Sequence, residues 1–292
     1  MHLLLALPAP AKLNLFLRVT GRRANGYHEL QTAYALVDLA DWLDFERRID
    51  GLIVREGDLT GPVEDDLAMR AAHALQKASG TALGATISVT KRIPVGSGMG
   101  GGSSDAATTL IALNRLWDLN LARSDLSAIG LPLGADVPFF LHGGDAFAEG
   151  IGERLTSIEL PATWFAIVWP QVHVSTREIF SDGGLTRNSK ATKIADFSAV
   201  AAALAREAAG NLDLPPSLVN DLEPVARRRY PIIDEAIQRL GRFGAARMTG
   251  SGSAVFVATR SKARAETAVA DVPPSWSAWV VQKLGEHPLA VW

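Results

Sequence analysis

The stretch Pro94-Val95-Gly96-Ser97-Gly98-Met99-Gly100-Gly101-Gly102-Ser103-Ser104 contains five glycines and lies between two patterned segments. Upstream, residues 86–93 alternate between polar and apolar, which is typical of a half-buried strand. Downstream, apolar residues follow helical spacing over 106–117, and Ser103 or Ser104 is available as the N-cap. This order predicts a strand, a glycine-rich loop and a helix start. Glycine N–H groups and the positive end of a helix dipole together favour a phosphate ligand.

Two common phosphate loops do not fit this stretch. The Walker loop requires a lysine directly after its last glycine, where this chain has Ser103. The dinucleotide pattern is matched by Gly96, Gly98 and Gly101, but it also requires a second parallel strand that ends in an acidic residue. Here a second helix-like segment follows Trp117 instead. A tight connection without any ligand is the structural alternative, but the position of the stretch between capped, periodic elements argues against it.

Composition excludes several classes of protein. The 292 residues allow one large domain or two ordinary ones, and 48% hydrophobic with 21% charged residues indicates a globular chain. The net charge of −2 lacks the basic footprint of a nucleic-acid binder. Cysteine is absent, which excludes disulfides and thiol chemistry. The apolar run Leu3–Leu7 is too short for a signal peptide, and no segment reaches membrane-spanning length. We therefore expect a cytoplasmic protein with neither nucleic-acid nor membrane partners.

The N-terminal half contains polar residues that are ambiguous on their own. Residues 12–19 alternate as a strand, which places Lys12 and Asn14 side by side on its polar face. Without further context, a solvated strand face is the better explanation of this pattern. A glycine-flanked turn precedes Tyr27 and His28, and a lone histidine is more often a satisfied surface or core group than a site residue.

Asp136 is a carboxylate between apolar neighbours. Burial of a carboxylate is costly unless it is paired or hydrogen-bonded, so its position requires a reason. A cap for the turn at 138–141 is as good an explanation as a functional role.

The remaining patterns predict an α+β chain. They indicate strands at 31–37 and 42–46 about a turn at 38–41, a helix that starts at Asp65-Asp66 and ends at Ser79-Gly80, and a short helix at 124–129. The character of the chain changes around Pro161. The patterns that follow predict a strand at 165–169, a polar loop at 181–193 and helices at 198–209, 221–229 and 232–240. The chain then ends with a strand, a glycine turn, a strand, a helix and a strand. This order suggests a second α+β unit.

The glycine stretch resembles the second motif of the galactokinase, homoserine kinase, mevalonate kinase and phosphomevalonate kinase (GHMP) superfamily. Four further segments resemble the 4-diphosphocytidyl-2-C-methyl-D-erythritol kinase family of that superfamily, and together they span nearly the whole chain. They are Pro10–Leu17, Gly26–Thr32, Gly134–Pro138 and Thr249–Ser253. Two positions depart from the family pattern. Asp66 stands where asparagine usually helps to hold adenine, and Ser97 stands where glycine is common.

The resemblance implies a two-domain GHMP kinase fold. Residues 1–158 would form a domain like the second domain of ribosomal protein S5, and residues 159–292 would form a ferredoxin-like domain. It implies an ATP-dependent kinase, with Mg²⁺, that phosphorylates the 2-hydroxyl of the cytidine-linked methylerythritol in the non-mevalonate route to isoprenoids. We expect a monomer or weak homodimer. The alternatives are a kinase of homoserine or mevalonate type and a non-catalytic nucleotide-binding module.

The resemblance also implies roles for individual residues. Asp136 would accept the proton of the attacking hydroxyl, and Lys12 would neutralise the transferring group and keep Asp136 ionised. ATP would be bound by Pro94–Ser104, Asp66 and Lys91, with Ser104 as a metal ligand. The substrate residues would be Tyr27 and Phe180, which sandwich cytosine, His28, which recognises its polar edge, and Asn14 and Thr176, which position the sugar-alcohol and phosphates.

Overall fold

The structure is a computed structural model that describes residues 2–206 and 215–292, and its first half contains a six-stranded sheet. Strand β2 pairs along one side with β1, and along the other side with β4 and β5 at different points of its length. The sheet order is β3-β4-β2-β5-β6, and only the β3–β4 pair is parallel. The strands are β1 (Leu3–Arg22), β2 (His28–Arg48), β3 (Ile53–Gly57), β4 (Gly84–Thr90), β5 (Ala146–Glu149) and β6 (Arg154–Ser157).

Helices cover one face of this sheet. Leu36, Leu43 and Phe45 of β2 are fully buried in one cluster with Leu75 and Leu110 of the helices. The helices of this half are α1 (Leu67–Ser79), α2 (Gly101–Leu116), α3 (Arg123–Gly130) and α4 (Val137–His142), and a 3₁₀ turn at Val63–Asp65 precedes α1.

The second half contains a four-stranded antiparallel sheet in the order β10-β7-β9-β8. Its strands are β7 (Trp164–Trp169), β8 (Arg247–Met248), β9 (Val255–Thr259) and β10 (Ser277–Gln282). Its helices are α5 (Thr176–Ser181), α6 (Ile194–Arg206), α7 (Glu223–Arg229), α8 (Pro231–Leu240) and α9 (Lys262–Val269). Alternation along β7 sends Ala166 and Val168 to the core with α7, α8 and α9, and Phe165 and Ile167 to the opposite face.

The two sheets share a core, and this corrects one prediction. Phe165 and Ile167 of β7 lie in the same buried cluster as Leu13 and Phe16 of β1. Strand β1 therefore has a helix layer on one side and the second sheet on the other. The strand prediction for 12–19 is confirmed, but its polar face is not a solvated surface, because Lys12 is only 3% exposed and Asn14 only 2%.

Other predictions need adjustment. The prediction of a turn at 38–41 is wrong, because β2 continues through these residues as one strand. Its pairing with β1 has a register shift between Pro10 and Ala11 of β1. Helix α1 begins and ends as predicted, with Asp66 as N-cap and Gly80 as C-cap. The predicted helix at 198–209 is described as α6 only to Arg206, and its last residues lie outside the described part of the chain.

The C-terminal segment returns to the first half of the molecule. Leu284 N–H donates to Leu36 C=O at 2.9 Å, and His287 N–H donates to Gly143 C=O at 2.6 Å. Leu289 is buried in the cluster that contains α1 and α2. A domain boundary after residue 158 stays a prediction. Within the described ranges, none of the helices combines the length and apolar character needed to cross a bilayer.

Candidate active site

The glycine stretch forms the predicted loop between β4 and α2. Gly96, Gly98 and Gly100 all have positive φ, between 67° and 80°, a region that side chains other than glycine rarely adopt. Between them, Ser97 and Met99 point inward and are almost completely buried. Helix α2 begins at Gly101 with Gly100 as its N-cap. The predicted N-cap at Ser103 or Ser104 is therefore wrong, because both residues lie inside the first turn.

A second glycine loop, residues 249–253, packs directly against the first. Ala254 N–H donates to Ser97 C=O at 3.0 Å, and Ser253 N–H donates to Gly96 C=O at 3.2 Å. A Cβ at Gly98 would lie 2.2 Å from the Thr249 carbonyl oxygen. Glycine at 98 is therefore required by the packing of the two loops.

The loop lies between two cavities. The first cavity, of about 810 Å³, extends from Tyr27, His28 and Phe180 to Lys12 and Asp136. The second cavity, of about 570 Å³, extends along the other side of the loop to the start of α1. Residues that line both cavities are Gly96, Gly98, Gly100, Ser103 and Thr176. The glycine loop thus forms a wall shared by the two cavities, and molecules bound in them can come into contact at this loop.

Lys12 and Asp136 meet in the first cavity. Lys12 Nζ lies 3.4 Å from Asp136 Oδ2, and the Tyr34 hydroxyl donates to Asp136 Oδ1 at 2.8 Å. Asp136 precedes α4 but makes no side-chain capping bond to it, so the capping explanation is not borne out. Its side chain is 30% exposed, which leaves carboxylate surface open to the cavity.

Neighbours from β1 and β2 hold this pair in position. Lys12 Nζ donates to Asn14 Oδ1 at 2.6 Å, and Asn14 Nδ2 donates to Thr32 Oγ1 at 3.0 Å. The Lys12 ammonium also lies 5.5 Å from the centre of the Tyr34 ring. Burial, and then the charge of Asp136, raise the pKa of Tyr34 well above its usual value. Tyr34 therefore remains a hydroxyl donor to the carboxylate over the physiological range.

The aromatic end of the first cavity differs in detail from the prediction. Phe180 stacks on His28, with ring centres 4.9 Å apart and planes at 28°, while Tyr27 is 60% exposed. Arg187 Nε donates to His28 Nε2 at 3.1 Å. The ring that Phe180 faces is thus His28, and Tyr27 remains free at the rim. Thr176 lies where the two cavities meet, with its hydroxyl 2.8 Å from that of Ser251.

Asp66 lines the second cavity at the N-terminus of α1. Asp66 accepts from Met69 N–H at 3.1 Å as the cap of α1, and its other oxygen accepts from Arg55 Nε at 3.0 Å. Both of its oxygens therefore already have protein partners.

Lys91 lies in the second cavity between two carboxylates. Its Nζ donates to Asp41 and, at 2.6 Å, to Asp105. Burial opposes the charged form, but Asp105 and Asp41 raise the pKa of Lys91. Burial raises the pKa of Asp105 to about 7. Asp41 also accepts from Ile93 N–H at 2.8 Å, so this cluster fixes the point where the glycine loop begins.

Ser104 does not face either cavity. It is fully buried, and its hydroxyl donates to the Pro10 carbonyl oxygen at 2.7 Å. Ser103, one residue earlier, lines both cavities. Over residues 2–206 and 215–292, no group of three or more His, Asp or Glu side chains is placed to hold a metal ion.

Comparison with known proteins identifies the family. The models for "GHMP kinases N terminal domain" and "GHMP kinases C terminal" match residues 66–144 and 194–277. The 4-diphosphocytidyl-2-C-methyl-D-erythritol kinase of Janthinobacterium sp. (strain Marseille) is 52% identical over 97% of this chain and 96% of its own length. The enzyme of the same name from Aromatoleum aromaticum is 52% identical over 98% and 95%. The chain belongs to the 4-diphosphocytidyl-2-C-methyl-D-erythritol kinase family.

Solved structures agree with this family assignment. A crystal structure of 4-(cytidine 5'-diphospho)-2C-methyl-D-erythritol kinase is 36% identical, with a TM-score of 0.79, and covers 95% of this chain and 98% of its own. Homoserine kinase from Cytophaga hutchinsonii has a TM-score of 0.72 over 98% and 96% of the two chains, at 16% identity, which shows the shared fold alone. The predicted two-domain GHMP kinase fold is confirmed.

Sequence reasoning missed three residues that shape the site of this family member. Tyr34 was hidden in an apolar strand, and only its register opposite Asn14 points to the site. Asp41 was interpreted as a turn residue, and Arg187 as part of a polar loop. Of the predicted site residues, Lys12, Asn14, Tyr27, His28, Asp136, Thr176 and Phe180 all line the first cavity. Asp66, Lys91 and the glycine stretch line the second, except Met99 and Ser104, which are buried.

Proposed function

We propose that the protein transfers the γ-phosphoryl group of ATP to the 2-hydroxyl of 4-diphosphocytidyl-2-C-methyl-D-erythritol, a step of the non-mevalonate route to isoprenoids. One observation carries the proposal. The Lys12–Asp136 pair lies in the first cavity, where that cavity shares its glycine wall with the second. A phosphate donor in one cavity and an alcohol in the other would meet at these two side chains.

ATP would occupy the second cavity. The positive-φ glycines leave their backbone N–H groups open for close approach of phosphate oxygens. The loop passes next to Lys12 at Gly100, where a Cβ would lie 3.0 Å from Phe140 and 3.1 Å from Lys12. The triphosphate would therefore follow the loop towards Lys12. Asp66 and Lys91 also line this cavity, where they would contact the nucleotide.

The chain's own residues supply the chemistry at the acceptor hydroxyl. As the hydroxyl oxygen forms its bond to the γ-phosphorus and the bond to the bridging oxygen of ADP breaks, the hydroxyl proton moves to Asp136 Oδ2. The Lys12 ammonium stabilises negative charge on the transferred group. Tyr34 holds the other carboxylate oxygen, so that Oδ2 is turned to the acceptor and to Lys12.

Mg²⁺ would neutralise phosphate oxygens during transfer. Since the described residues offer no cluster of carboxylates or histidines, the ion would be held mainly by the phosphates and water, as is usual for this metal. The hydroxyl of Ser103, which lines both cavities, fits a ligand position better than the buried hydroxyl of Ser104.

The other end of the first cavity would select the cytidine group. Tyr27 presents an exposed aromatic ring for a base, and Phe180 presents its ring together with the polar ring of His28, which is stacked on it. Asn14 and Thr176 lie closer to the reacting end, where the sugar-alcohol and phosphates would be positioned. A cavity of about 810 Å³ is large enough for a nucleotide-linked substrate.

The direct test is an assay with candidate acceptors. The purified protein is incubated with ATP, Mg²⁺ and the cytidine-linked methylerythritol, and the products are analysed by mass spectrometry for one added phosphate. Homoserine and mevalonate are the control acceptors. Phosphate transfer to the cytidine-linked compound alone supports the proposal. Transfer to a control acceptor instead would make it a kinase of another GHMP type, and nucleotide binding without transfer would make it a non-catalytic module.

A further inference from the structure

Arg187 links the two walls of the first cavity. It lies in the loop after α5 and lines the cavity. Its Nε donates to His28 Nε2 at 3.1 Å, and its Nη1 donates to Leu185 C=O at 3.2 Å. Its Nη2 donates to Phe180 C=O at 2.9 Å and to Asp182 C=O at 2.8 Å. One guanidinium group therefore holds both the backbone of Phe180 and the ring of His28.

The bond to His28 fixes the position of a proton. A guanidinium group has only donors, so His28 Nε2 must present its lone pair to Arg187. The neutral ring then carries its proton on Nδ1, although free histidine in water favours Nε2–H. Burial, followed by the charges of Arg187 and Arg22, lowers the pKa of His28, which favours this neutral form. His28 is thus set to be a hydrogen-bond donor through Nδ1.

The tautomer matters for recognition of a base. At ring position N3, cytosine has an acceptor, whereas uracil has an N–H donor. Because His28 lines the first cavity, a donor at its Nδ1 would pair with N3 of cytosine and would oppose the N3–H of uracil. The reverse tautomer would present an acceptor through the same nitrogen and would remove this discrimination.

We propose that Arg187 is a positioning residue that sets base specificity by holding His28 as the Nδ1–H tautomer against Phe180. The inference rests on the proposed function for its substrate. It also has a consequence in the ligand-free protein, because the tautomer of His28 is fixed before any substrate binds. The two can therefore be tested separately.

The first measurement is the ¹⁵N NMR spectrum of the histidine rings, with His28 assigned from the signal lost in His28→Gln. We expect Nδ1–H in the wild type and in Arg187→Lys, whose ammonium can still donate to Nε2. In Arg187→Met the Nε2–H form should become the major one. The matched control is Arg228→Met, because Arg228 holds Asp182 of the same loop from outside the cavity. It should leave the tautomer unchanged.

The second measurement compares kcat/KM for the cytidine- and uridine-linked substrates. Arg187→Met should lower the preference for cytidine about tenfold or more, through KM rather than kcat, while Arg187→Lys keeps most of it. An Nε2–H signal in the wild type, or an unchanged tautomer and base preference in Arg187→Met, would overturn the inference. Failure of the wild type to phosphorylate either substrate would instead overturn the proposed function.

Discussion

Nζ of Lys12 lies 3.4 Å from Oδ2 of Asp136, although the two residues come from the first strand and from the segment before α4. Tyr34 from the second strand donates to the other oxygen of the same carboxylate. Three separate parts of the chain thus converge on one carboxylate at the glycine wall between the two cavities. The predictions below test this arrangement and its surroundings.

Removal of the Tyr34 hydroxyl should slow the reaction without unfolding the protein. In Tyr34→Phe the ring still packs on Phe139, 4.5 Å away, but Asp136 loses the donor that orients it. Because a hydrogen bond to a charged group contributes about 1.5–3 kcal/mol, we expect kcat to fall about 10- to 100-fold. Tyr230→Phe is the control, since that hydroxyl bonds Glu178 at the surface. Equal steady-state rates for the two variants would show that Tyr34 does not orient Asp136.

A methyl group at Gly100 should displace the side chain of Lys12. Its Cβ would lie 3.1 Å from Lys12 Cε, in addition to the strain of a positive φ. We expect Gly100→Ala to reduce kcat about tenfold or more. Gly80→Ala is the matched control, because Gly80 also has a positive φ but a Cβ there meets nothing within 4 Å. It should cost about 1–2 kcal/mol in the free energy of unfolding and leave kcat unchanged. If both variants lose only stability, the contact with Lys12 has no role.

The exposed ring of Tyr27 should contribute to binding of the cytidine-linked substrate and not to binding of ATP. Aromatic stacking on a base contributes about 1–3 kcal/mol, so Tyr27→Ala should raise KM for that substrate about tenfold or more. The KM for ATP should change little, because Tyr27 lines only the first cavity. Steady-state kinetics with each substrate varied in turn measures both values. A rise confined to the KM for ATP would reverse our assignment of the two cavities.

His287 should make the protein less stable in acid. It is 1% exposed, its Nδ1 accepts from Leu289 N–H, and burial followed by the charge of Arg123 lowers its pKa to about 4. Between pH 6.5 and pH 4 the unfolded chain binds a proton that the folded chain does not. The free energy of unfolding should therefore decrease as the pH is lowered over this range, and His287 contributes at most about 3 kcal/mol to the decrease.

The measurement is urea unfolding of the wild type and His287→Asn at several pH values from 7 to 4. Asn removes the titration and keeps an acceptor near the Nδ1 position. We expect the stability difference between wild type and variant to shift in favour of the variant as pH falls. Ser124→Ala on α3 provides the control, because Ser124 is exposed and the substitution changes no titratable group, so the difference should stay constant. A constant difference for His287→Asn as well would contradict the prediction.

Local patterns were sufficient to predict much of the fold. The ends of helix α1 could be predicted because aspartate is a common N-cap, here Asp66, and glycine a common C-cap, here Gly80. The glycine loop could be predicted because a strand and a helix flank it. The solvated face of β1 and the turn at 38–41 could not be excluded, since both depend on the second sheet and on long-range pairing with β1. Periodicity shows that a face is polar but not what covers it.

The site was predictable only in part, for the same reason. Lys12 and Asp136 were assigned from family resemblance, because no spacing rule brings β1 to the start of α4. Arg187 and Tyr34 had no motif of their own, and their roles appear only through contacts with His28 and Asp136. The role predicted for Ser104 depended on which way a side chain in the first turn of α2 points, and it points to Pro10.

The central claim, that Asp136 accepts the proton of the acceptor hydroxyl, is tested most directly by Asp136→Asn. The amide keeps the shape of the carboxylate but cannot accept the proton in the same way. We predict that kcat falls about 10²–10⁴-fold, while the Kd for ATP, measured by calorimetry, and the unfolding temperature change little. Near-normal kcat in this variant would contradict the account and remove Asp136 from the mechanism.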